Sequence, residues 1–185
     1  EAAHDYFEYD ASEESTKVGD ARRLLAESRT VHEHRYDLII HDMHVGIDAA
    51  IVLTKELFTN VHDMWLHRNC VFVVNFVGFS SLPSSPLLKE AFALSLSVVA
   101  TLRSVFQFVK CYREIPLSYT PSAPSNIICL SADKPWNLSI PSHNHAPEMS
   151  PDWLSSHFQK WEVLREDGRD DTQSADIITE GTTGK

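Results

Sequence analysis

Basic residues are in short supply: 16 lysines and arginines stand against 26 aspartates and glutamates, a formal net charge of −10. That balance argues against a broad electropositive surface, and therefore against a nucleic-acid partner. Cysteine is scarce as well. Cys70, Cys111 and Cys129 each lie in an apolar stretch, at no spacing that suits zinc or a redox pair. They read as small core hydrophobes in a reducing compartment, and the cytosol is the expected location. No apolar run reaches the roughly 18 to 20 residues that a membrane-spanning helix needs. The longest, "AFALSLSVVATL" at 91–102, is flanked by Lys89, Glu90 and Arg103 and is expected to be a core helix. A Gly-x-Ser-x-Gly hydrolase elbow is missing from "GFSSLPSSP", which reads as a loop. The histidine-bearing stretches "HDMH" and "SHNH" have no third cluster to complete a ligand set, so no metal is expected.

What is present suffices for one globular domain, since 185 residues with 43% hydrophobic content can bury an ordinary core. "STKVGDARRLL" reads as a strand, a turn at Gly19 and Asp20, and a helix carrying Leu24 and Leu25. "RYDLIIHD" is a short apolar run suited to a strand covered on both faces. In "AAIVLTKELFTNVHDMW", Leu53, Leu57, Val61 and Met64 or Trp65 recur at spacings of three and four, which predicts a helix. A second unit repeats the alternation: "CVFVVNFVGF" at 70–79 as a strand, then a long helix from Ser85 with proline in its first turn.

Strands alternating with helices imply an α/β fold with parallel pairing. "QFVKCYREI" and "SNIICLSAD" have only a proline-bearing loop between them and are expected to pair antiparallel. The expected sheet is therefore mostly parallel and ends in an antiparallel pair. "PDWLSSHFQKWEVL" spaces Trp153, Leu154, Phe158 and Trp161 as a final helix would, and the acidic, apolar-poor tail 165–185 is expected to be disordered. No internal repeat is evident, and the organisation expected is one domain over 1–164 followed by that tail.

In an open α/β sheet, ligands lie outside the carboxyl ends of the parallel strands, and Asp20 and Asp42 both fall at such ends. A carboxylate there can accept hydrogen bonds from an adenine amine or a ribose, or take a proton from an attacking amine. Each also has a plainer reading, Asp20 as a helix cap and Asp42 as a strand-end turn residue. Asn75 stands inside an apolar strand, where its amide needs partners and reads as a buried structural group.

The order of "AAHDYF", "VGDARRLL", "YDLIIHD", "LTKELFTNVHDMW" and "CVFVVN", from Glu1 to about Ala132, resembles the spermidine and spermine synthases and their relatives. That resemblance implies a Rossmann-like, methyltransferase-type sandwich binding S-adenosylmethionine or its decarboxylated form. Asp20 and Ala21 match the family's Gly-Asp-Ala turn at the adenine. Asp42 matches the aspartate that serves as base toward the attacking amine, and it belongs to the same cofactor rim, where His44 is also placed; the methyltransferase-like branch of the resemblance places Asn75 near that rim too. The chain departs from the family where a second aspartate and a proline would follow, which are Val45 and Gly46 here. It departs again where the pocket tyrosine would stand, at Ala123.

The resemblance also places the family's first strands, its glycine-rich turn and its ribose-binding acid before Glu1, and "EAAHDYFEYD" reads as the middle of a helix. An upstream part is therefore expected, targeting signals are not readable, and the segment alone is expected to be poorly stable and to bind no nucleotide tightly. The function implied is aminopropyl transfer in polyamine biosynthesis. A methyltransferase and a catalytically inactive, partner-binding relative are the alternatives. The expected partner is a small-molecule amine or other nucleophile, with no membrane in this segment and a homodimer left open.

Overall fold

Two runs rich in valine, isoleucine and aromatic residues become adjacent parallel strands: β1 (Tyr36–Asp42) and β2 (Leu66–Gly78). The computed structural model describes residues 19–20, 23–24, 35–42, 53–79, 85–114, 123–135 and 158–161. The chain divides into two units, Glu1–His34 and Arg35–Lys185. The second unit contains, in chain order, β1, helix α1 (Lys55–Asn60) with a wider π-type turn (Val61–Trp65), β2, helix α2 (Pro86–Arg103), β3 (Phe108–Glu114), β4 (Ser125–Ala132) and β5 (Phe158–Trp161).

The five strands form one sheet in the order β1-β2-β4-β3-β5. Of these strands only β1 and β2 pair in parallel, joined through α1 and its π-type turn; α2 likewise joins β2 to β3, but β4 lies between those two. β2–β4, β3–β4 and β3–β5 are antiparallel. The α/β class and the antiparallel β3–β4 pair agree with the sequence, but the described sheet is mixed rather than mostly parallel. The expected final helix is also corrected, since Phe158–Trp161 is a strand on the outer edge of β3. Phe158 and Trp161 are spaced as on a helix, but the segment pairs with the edge of β3, whose backbone groups it satisfies. Residues 43–52, the connector at 136–157 and the tail 165–185 lie outside the described residues.

Both helices are built as the sequence suggests. Thr54 caps α1, its Oγ1 accepting from Leu57 N–H at 3.3 Å, and Pro86 occupies the first turn of α2. Hydroxyl groups inside the apolar α2 bond back to the preceding turn: Ser95 to Ala91 O at 3.1 Å and Thr101 to Ser97 O at 2.6 Å. Neither is thus buried unsatisfied. Ser95 Oγ also accepts from Phe79 N–H at 3.0 Å, pinning the end of β2 to the helix. Gly78 makes that approach available, because a Cβ there would lie 2.5 Å from Ser95 Oγ and 3.1 Å from Ile127 Cδ1.

The core lies on one face of the sheet. Phe72, Val74 and Phe76 of β2 and Ile127 and Cys129 of β4 are buried beneath Phe58, Val98, Val99, Leu102 and Phe106. On the other face Leu38 and Ile40 are 54% and 62% exposed, so β1 is not covered on both faces among the described residues as its apolar run suggested. Both α1 and α2 lie on the first face, and β1 is the end strand of the described sheet.

The cysteines need a correction too. Cys111 and Cys129 are 18 positions apart in sequence but directly opposite in the β3–β4 register, with Cα atoms 4.1 Å apart, and they form a disulfide. Cys70 alone is free. Pairing across a hairpin leaves no signature in cysteine spacing, and the argument from unpaired cysteines to a reducing compartment falls with it. No helix among the described residues is long and apolar enough to cross a membrane.

Candidate functional site

The carboxyl end of β1 delivers Asp42 to the rim of the sheet, directly in register with Asn75 of β2. Parallel partners in register project to the same face, and the two side chains meet there: Asn75 Nδ2 donates to Asp42 Oδ1 at 2.8 Å. Only that amide orientation is acceptable, because the reverse would set two acceptor oxygens against each other. Asn75 Oδ1 is then left buried, and it accepts no hydrogen bond. Asp42 itself is exposed. The pair thus sets an exposed carboxylate beside a buried, unpartnered amide oxygen at the strand ends where ligands of open α/β sheets lie.

Of the other residues expected at the site, only Asp20 is among the described residues. Asp20, in the unit Glu1–His34, accepts from Arg23 N–H through Oδ1 at 3.4 Å, while its carbonyl accepts from Leu24 N–H at 2.9 Å. That is the geometry of a residue capping a helical turn, in line with its plainer reading. Ala21, His44, Val45 and Gly46 lie outside the described residues. Asp20 and Asp42 belong to different units and are each described within their own.

A second polar group gathers at the opposite end of the sheet, which the sequence did not single out. His62, in the π-type turn, has Nδ1 2.6 Å from Asp63 Oδ1 and Nε2 2.9 Å from Asp133 Oδ2, just past β4. Its ring sits edge-on to Phe106, with centroids 5.3 Å apart. Arg35 closes the group by donating to the carbonyls of Asp63 at 2.9 Å and Leu66 at 3.2 Å, satisfying acceptors at the end of the turn. An open depression of about 390 Å3 borders His62, Asp63, Arg68 and Asp133. It is far from Asp42 along the strands. A separation of 71 positions between His62 and Asp133 explains why no local pattern announces the contact.

Burial alone would push the His62 imidazole down. The hydrogen bonds to Asp63 and Asp133 and the two carboxylate charges outweigh it and hold the pKa above the ordinary 6.5. A pKa raised on folding means that the protonated bridge contributes its full stabilisation below about pH 6.5 and loses it as pH rises through the folded-state value. Because the carboxylates are well exposed, the effect is expected to be about 1 kcal/mol or less. Thermal melts of wild type and His62→Gln between about pH 5.5 and 8.5 should show a gap that narrows as pH rises. A gap that is constant or widens would remove the bridge as its source. By contrast, burial pushes His41 below its ordinary value, on the core face of the sheet, where its ring meets Phe72 of β2 edge-on at 6.5 Å.

Among the described residues no group of three His, Cys, Asp or Glu side chains is arranged to hold a metal ion. No protein-family model matches the chain, and no curated protein matches it. Among solved structures, it is similar to a probable spermidine synthase from Corynebacterium glutamicum, with a TM-score of 0.62 and 17% sequence identity. The match covers all of this chain but 61% of that one, so the chain spans less than two thirds of the length of this neighbour. At that identity the likeness is one of fold: the α/β arrangement is shared with a spermidine synthase-like structure.

Proposed function

We propose that the chain belongs to a transferase of the spermidine synthase-like superfamily, acting in polyamine biosynthesis by aminopropyl transfer from decarboxylated S-adenosylmethionine to an amine. One observation supports it most: in a fold similar to that of a probable spermidine synthase, Asp42 stands at the carboxyl end of β1 with Asn75 donating to one of its oxygens. The acceptor groups there suit a ligand that brings N–H donors, as an adenine amine or an attacking amine does.

In this reading the sulfonium supplies a carbon already activated toward attack. Asp42 accepts the proton released as the amine nitrogen bonds to that carbon, and the electron pair of the broken carbon–sulfur bond stays with sulfur. The contribution of the protein is to align amine and carbon and to keep a proton acceptor in place. Asp20 and Ala21 are assigned to the adenine.

A methyltransferase on the same fold is the second reading. It is favoured by Val45, Gly46 and Ala123, which stand where the aminopropyltransferases carry an aspartate, a proline and a tyrosine. A less cationic nucleophile needs none of those three. One assay separates the readings. The full-length protein is incubated with labelled S-adenosylmethionine or its decarboxylated form, plus putrescine or spermidine. Methylthioadenosine is the expected product. S-adenosylhomocysteine would establish methyl transfer, and the absence of both would leave a binding protein without chemistry.

A further inference from the structure

Asn75 interrupts an apolar strand on the half-exposed face it shares with Val71, Val73 and Val77, and what is out of place there is a buried amide atom without a partner. One N–H is used, on Asp42. The carboxamide oxygen is buried and unpartnered, on the same rim as the exposed Asp42 carboxylate. A valine would satisfy packing at this position with no orphaned oxygen, so packing does not account for the asparagine.

We propose that Asn75 is the positioning residue of Asp42 and that its carboxamide oxygen accepts an N–H from the ligand bound there, an amino-bearing molecule rather than a carboxylate or a phosphate. The Nδ2–H bond holds the Asp42 carboxylate in one orientation. The same bond fixes the amide plane, so that Oδ1 can only accept. Two acceptors locked side by side reward a group with two N–H donors, and repel an anion. This inference deepens the transferase reading and rests on it for the identity of the amine, which is either the adenine of the sulfonium donor or the nucleophile.

The test uses the full-length protein, 15N-labelled, with adenosine, putrescine and succinate as separate probes. The side-chain NH2 resonances of Asn75 are assigned by their loss in Asn75→Leu. Adenosine or putrescine should shift them, the responding probe telling which amine is bound, and succinate should not. Asn75→Leu should weaken binding of that probe about 10- to 100-fold, the scale of a lost hydrogen bond to a charged group, with no fall in melting temperature. Asn75→Thr, which suits a valine-lined strand, serves if the leucine variant fails to fold. Resonances that ignore both amines, an equal response to succinate, or a variant that binds like wild type but melts lower would overturn the proposal and leave Asn75 a structural amide. Failure of the transferase reading looks different: neither transfer product forms, whatever the resonances do. Where product does form, Asn75→Leu should lower kcat or raise the KM of the amine, and unchanged kinetics would count against Asn75 alone.

Discussion

Asp42→Asn is expected to lower turnover by about two to four orders of magnitude, the usual scale for a lost proton acceptor, while affinity for the sulfonium donor changes little. The substitution is close to isosteric, so β1 and its pairing with β2 have no reason to move. What changes is chemistry: an amide cannot take the proton of the attacking amine. The Asn75 contact sharpens the expectation, because its Nδ2–H can still donate to the amide oxygen of the new side chain. The local geometry therefore survives while the base is lost. Single-turnover measurements of product formation alongside titration of the donor would check it. Turnover within about threefold of wild type, against the hundredfold or more expected of a lost base, would end the assignment of Asp42 as base. A parallel collapse of donor affinity would move Asp42 from proton acceptor to binding group.

The same pair of residues shows how far the sequence can be read. Asp42 was legible because an apolar run of strand length stops at a carboxylate, and the position of a strand end is a local property. Asn75 was legible as an anomaly, an amide among valines, but its partner was not, since the Asp42–Asn75 register is set by a parallel pairing 33 positions apart in the chain. The cysteine pair failed for the same reason in antiparallel form: nothing in the stretch between Cys111 and Cys129 says that the hairpin register places them opposite each other.

Where local periodicity and tertiary context disagree, tertiary context wins. The "FQKW" segment carries aromatics at a helical spacing and still adds a strand to the open edge of β3. β2 begins at Leu66, ahead of the strand expected from Cys70. Asn69 takes a positive φ of 68°, a conformation asparagine tolerates, and the irregular register between Tyr36 and Leu38 absorbs the extra residues. The two helices, in contrast, carry local signals, apolar residues at spacings of three and four in α1 and a first-turn proline in α2, and both were readable without knowledge of the sheet.

Phe72→Ala is expected to cost about 3–5 kcal/mol of stability. Phe72 is wholly buried in β2, with Phe58 of α1 edge-on at a centroid distance of 5.7 Å and Phe106, just after α2, stacked at 5.7 Å. One ring thus joins the sheet to both helical segments, and removing it leaves a cavity that three separate elements would have to move together to close. For a chain of this size the loss corresponds to a fall in melting temperature of roughly 6–20 °C, and it is a large share of the 5–15 kcal/mol that holds a typical domain together. The aromatic cluster lies on the face opposite Asn75, so well below the melt, binding at the Asp42 rim should persist. Urea unfolding followed by far-UV circular dichroism would show a lower midpoint with an unchanged slope. A loss under about 1 kcal/mol would mean that the core does not hinge on this ring, and that the two helical segments are held to β2 by Val98, Val99 and Leu102 instead.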